Sequence, residues 1–190
     1  MTAKKLDLRD YYLDLWNQAT IKPERLAEVK IFTDLALKFK SRYEYLTENL
    51  GIPWWFVAGI HGRECSFNFK TCLHNGDPLP GPTTHVPIGR GPFGDWEHAA
   101  MDAMLLLKLD SFKNWGILSA LDRWERYNGR GYMIHQPGTY SPYLWSMTSL
   151  YEKGKYGSDG KFDPELRDKQ VGLVAFLKNL LERGEIQYYL

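Results

Sequence analysis

Only two cysteines, Cys65 and Cys72, occur among 190 residues, which excludes the disulfide framework that staples small secreted folds. A dominant charge is also missing: 24 Lys and Arg stand against 23 Asp and Glu, a formal net charge of +1, so no nucleic-acid partner is expected. No apolar run approaches the roughly 20 residues of a membrane span, and the opening MTAKKLDLRDYY carries no hydrophobic signal core. A transmembrane segment and a signal peptide are therefore not expected. Neither repeats nor low-complexity stretches nor linkers divide the sequence. One domain over residues 1–190 is the simplest expectation, with 1–50 as helical scaffold and 51–183 as the working core. The two thiols are expected to be free. What is abundant is aromatic, with seven Trp and twelve Tyr. Such rings fill cores first, and the remainder can stack on the apolar faces of sugars.

Helical periodicity runs through most of the chain. Leu8, Tyr12, Leu15 and Trp16 share a face within Leu6–Ala19, and Ile21-Lys22-Pro23 breaks the pattern. From Pro23 to about Leu50, Val29, Phe32, Leu35, Phe39, Tyr43 and Leu46 recur at helical spacing, predicting one long scaffold helix stopped by Gly51. Asp95 is placed to cap a helix reaching about Leu109, and Asn114 one over Trp115–Tyr127. Pro142 can open a helix, and Asp163 can cap a last one over Pro164–Glu182 with Leu166, Val171 and Phe176 in the core.

The chain is organised around Ile52–Asp77, IPWWFVAGIHGRECSFNFKTCLHNGD. Pro53 suits a first helical turn, and Trp54 to Ile60 is apolar nearly all round, which describes a helix surrounded by protein. Val57, Ile60 and Glu64 lie on one face, delivering a carboxylate to the end of an apolar stripe. Burial there would raise its proton affinity and suit it to general acid work. A turn-rich run follows, with Asn75-Gly76 as a hairpin signal and Asp77 and Thr83 beyond it. Thr84 is the rival of Thr83, since only one of two neighbours on a strand can face a cleft.

A buried helix ending in Glu, followed by a hairpin carrying Asp and Thr, resembles the active site of the lysozyme superfamily. The order Glu64…Asp77-x5-Thr83 is similar to the catalytic set of phage-type lysozymes, with a longer Glu–Asp interval here. IPWWFVAGIHGRE, HNGDPL, HVPIGR, YNGRGY and SPYLW resemble, in order, a bacterial and phage group of lysozyme family proteins. The resemblance implies a mainly α, α+β lysozyme-like fold: a helical bundle with one small β-hairpin beside an active-site cleft. It implies a monomeric peptidoglycan hydrolase, a muramidase cleaving the β-1,4 bond between N-acetylmuramic acid and N-acetylglucosamine. Glu64 would be the general acid, and Asp77 with Thr83 would position or deprotonate water, with inversion at the anomeric carbon. His74, Asn75, His85, Tyr127, Asn128, Tyr140 and Tyr143 are the expected substrate contacts. Synthesis in the cytoplasm and release to the wall through holin-type pores, or another non-classical route, goes with it. The alternatives are a lytic transglycosylase, a chitinase-like glycosidase and a non-catalytic wall-binding module.

No cofactor is expected. His61, His74, His85, Cys65 and Cys72 lack the compact spacing of zinc sites, so no metal is expected either.

Overall fold

The computed structural model describes residues 7–136, 138–157 and 160–187. Among them the chain is mainly helical with one small antiparallel hairpin, as the sequence implies. It gathers into two compact units, one of residues 1–33 and 116–190, the other of residues 34–115.

The second unit is built on α3 (Lys40–Leu50), α4 (Trp54–Cys65) and α5 (Trp96–Leu106), with α3 packed on both others. The predicted stop at Gly51 is real: it takes φ 71, and its N–H closes on the Thr47 carbonyl. The long scaffold helix is not continuous. Pro23–Arg25 is a 3₁₀ turn, α2 covers Leu26–Lys38, and α3 starts afresh after Phe39 leaves helical geometry. No Gly or Pro marks this break; the Phe39 ring packs edge-on to Phe69 with centroids 4.8 Å apart. Asp95 caps α5 as expected, its carboxylate accepting from the His98 N–H.

In the first unit α1 (Leu8–Gln18; Leu6 lies outside the described residues) packs on α6 (Ile117–Tyr127), and α6 on α8 (Pro142–Trp145). The latter packs on α9 (Leu173–Glu182). A short α7 (Gly131–His135) lies where loop was expected, and Gly116 rather than Asn114 precedes α6. Residues 164–172 are not helical, and Leu166 is exposed rather than core. Asp163 ends β2 (Phe162–Asp163), which pairs with β1 (Lys155–Tyr156). The hairpin thus lies at 155–163, not between Phe67 and Val86.

Gly172 shows how tightly α8 and α9 meet. A Cβ there would stand 2.6 Å from both the Leu144 carbonyl oxygen and the Ser146 nitrogen, backbone atoms that cannot swing aside. Gly172→Ala should therefore cost about 1–3 kcal/mol through overpacking. Thermal denaturation followed by circular dichroism measures it, and an unchanged midpoint would contradict this packing.

Candidate active site

Every α4 residue from Trp54 to Arg63 is buried, and Glu64 is the first exposed side chain on the helix. The helix stops because Ser66 and Phe67 enter the left-handed region, at φ 49 and 59, while their N–H groups close on Gly62 and His61 carbonyls. His61 fixes this turn from within. Its Nδ1 accepts from the Tyr43 hydroxyl at 2.9 Å, and its Nε2 lies 3.2 Å from the Asn68 carbonyl. A carbonyl only accepts, so the proton sits on Nε2. Burial lowers the His61 pKa to about 4, which keeps the ring neutral at physiological pH. Trp96 and Phe69 enclose it at 4.5 and 4.6 Å. Glu64 is thus presented to solvent by a stiff turn. The burial expected of Glu64 is not found, because the buried stretch of α4 ends one residue earlier.

Beyond the turn, residues 66–95 form no regular hairpin. Two isolated bridges, Thr71 with Pro78 and Gly81 with Phe93, are the β pairing found there. Side chains do the fastening instead, and Asp77 is their hub. It is 4% exposed. One oxygen accepts from the Thr84 and His85 N–H groups at 2.6 and 2.9 Å. The other accepts from the Thr84 hydroxyl at 3.1 Å and from His85 Nδ1 at 2.5 Å. These donors, the His85 N–H foremost and then its ring, hold the Asp77 carboxyl well below the usual carboxylate range. Thr84, not Thr83, is therefore the partner of Asp77. The Thr83 hydroxyl instead donates to the Pro87 carbonyl and accepts from the Arg90 N–H.

The three expected substrate contacts in this unit differ in what is left free. His74 has its ring buried, stacked on Phe93 and bonded through Nε2 to Asp102, which also pairs with the Arg90 guanidinium. Asn75 is an internal bracket: Oδ1 accepts from the Cys72 thiol and the Asp77 N–H, and Nδ2 donates to the His85 carbonyl. His85 alone of the three is well exposed, at 79% of its side chain. Cys65 and Cys72 are free thiols, as expected.

The other four expected contacts lie in the first unit. Asn128 is exposed, Tyr127 and Tyr140 are half-buried, and Tyr143 is buried against Tyr127 at 6.3 Å between ring centroids. The same unit holds an acid that sequence reading passed over. Glu125 on α6 is 3% exposed, and burial pushes its pKa up to about 7 against an opposing hydrogen bond from Ser141. Among the described residues its Oε1 has no hydrogen-bond partner. The signal was available: Leu118, Leu121 and Glu125 share one helical face, the pattern that singled out Glu64.

No family model, curated protein or solved structure matches the chain. Among the described residues no helix is long and apolar enough to cross a membrane, and no group of three His, Cys, Asp or Glu side chains could hold a metal ion.

Proposed function

We propose that this chain is a peptidoglycan glycosidase that cleaves the β-1,4 bond between N-acetylmuramic acid and N-acetylglucosamine, with Glu64 as proton donor. The observation that carries the reading is the presentation of Glu64. A carboxyl at the solvent end of an otherwise buried helix is both accessible to a glycan and rigidly placed. Cys65, the next residue, is hydrogen-bonded to the Thr71 side chain, and Thr71 bridges to Pro78 beside Asp77. The fastened segment therefore abuts the turn that bears Glu64. A glycan laid over Glu64 would displace water from around it, and such desolvation favours the protonated form of a carboxyl.

Asp77 enters this proposal as a positioning residue. A carboxylate with four hydrogen-bond donors and a strongly lowered pKa is a weak base, and its oxygens are already occupied. That same observation favours a second reading, a lytic transglycosylase, in which the sugar's own hydroxyl attacks and no second carboxylate is needed.

Product analysis separates them. Purified peptidoglycan incubated with the protein, reduced with borohydride and examined by mass spectrometry should yield N-acetylmuramitol ends. Ends in 1,6-anhydro-N-acetylmuramic acid would instead establish the transglycosylase. N-acetylglucosaminitol would mean the other β-1,4 bond is cut, and release only from chitin oligomers would mark a chitinase. No soluble product from any of these substrates would defeat the glycosidase reading.

A further inference from the structure

Saturation of Asp77 leaves a hydrolase without its usual water-activating carboxylate, and the same contacts supply another group. The Asp77 carboxylate can only accept hydrogen bonds, so the 2.5 Å contact to His85 Nδ1 places a proton on that nitrogen. In the neutral ring the opposite nitrogen, Nε2, then carries a lone pair. Among the described residues Nε2 has no hydrogen-bond partner, and the side chain is 79% exposed. The backbone under it is fixed at both ends of the residue: the His85 N–H is bound by Asp77 and its carbonyl by the Asn75 amide. A buried carboxylate thus orients an exposed imidazole whose free nitrogen faces solvent, the arrangement that makes histidine a proton acceptor.

We infer that His85 is the general base of this site, taking a proton from the water that attacks the anomeric carbon, with Asp77 as the residue that positions it. This rests on the glycosidase reading. The water oxygen bonds to C1 as the bond from C1 to the leaving O4 breaks. His85 Nε2 receives the proton lost by the water, and Glu64 gives its proton to O4. One water is consumed and two sugar ends appear. Glu64 then regains a proton, and His85 loses one, by exchange with solvent. Thr84, which donates to the same carboxylate, contributes to the orientation of Asp77.

Two variants test this. His85→Asn keeps an N–H where Nδ1–H stood, so the link to Asp77 and the loop survives while the base is gone. His85→Ala opens space for added imidazole. His85→Asn should keep the wild-type melting midpoint, while His85→Ala, which loses the ring's bond to Asp77, should melt somewhat lower but still fold. Both should lose about 10²-fold or more in kcat on purified peptidoglycan, with KM little changed. Imidazole in the buffer should restore part of the lost turnover to His85→Ala and none to wild type. A kcat within twofold of wild type in His85→Asn overturns the inference, as does a raised KM at unchanged kcat, which marks a binding contact only. Wild-type products ending in 1,6-anhydro sugars also overturn it, while leaving a glycan-cleaving enzyme in place. Absence of any wild-type product removes the glycosidase reading itself, and the base with it.

Discussion

Glu64→Gln should leave a folded protein that no longer lyses cell walls. The side chain is exposed at the last turn of α4, and an amide keeps its shape, so the melting midpoint should stay near that of wild type. What the amide cannot do is give a proton to the departing sugar oxygen. General acid catalysis contributes about 10²–10⁴-fold, and turnover on purified peptidoglycan should fall by that factor while glycan binding persists. Turbidity loss of wall suspensions, with pelleting to follow binding, measures both. A variant with half the wild-type rate would falsify the assignment of Glu64 and direct attention to Glu125, the buried acid of the first unit.

The second large effect concerns stability, and it comes from Glu125. Its folded pKa is raised to about 7 from an ordinary 4.5. Between those values the unfolded chain has released this proton while the folded protein keeps it. Stability therefore falls as pH rises through the window, and above pH 7 the folded state carries the full cost of a buried charge. At about 1.4 kcal/mol per pH unit the cost is about 3 kcal/mol. Gln has the same shape and no charge, so Glu125→Gln should match wild type at pH 4 and exceed it by about 3 kcal/mol at pH 8. His61 acts in the opposite direction: its pKa is lowered to about 4 from 6.5, so it withdraws stability as pH falls through that interval. The comparison of variant with wild type at each pH cancels that contribution. Urea titrations at several pH values provide the test, and a constant difference between the two proteins would show that Glu125 does not titrate in the manner described.

Where the sequence was informative, a local rule had a single outcome. Gly51 after an apolar run and Asp95 before one are a helix stop and a cap, and both are found. Elsewhere one chemistry served two structures. Asp163-Pro164 suits a helix start, but here Asp163 accepts from the Glu165 N–H in a turn at the end of β2. Asn75-Gly76 forms its turn, with Gly76 at φ 80, yet no ladder follows. Pro78, Pro80, Pro82 and Pro87 lack the N–H a ladder needs. The helical-face rule placed Glu64 in the core and, left unapplied to α6, missed Glu125. It reports where a side chain points, and not whether the protein covers that point. The Asp-x5-Thr spacing selected Thr83. Its neighbour Thr84 took the carboxylate, since Thr83 was committed to Pro87 and Arg90.

The fastening of residues 66–95 by side chains has a consequence for how this protein can change over generations. A β-ladder ties every residue to its neighbour's register, so one insertion displaces a whole strand. Here Asn75, Asp77, Thr83 and Thr84 supply hub contacts, and Arg90 adds a clasp to Asp102. Four of the exposed positions among them, Gly76, Pro82, Val86 and Ile88, carry none of those side-chain bonds. New side chains at Pro82, Val86 and Ile88 can be tried one at a time without loosening the knot. The helix that carries Glu64 can stay fixed while the exposed surface of this segment changes.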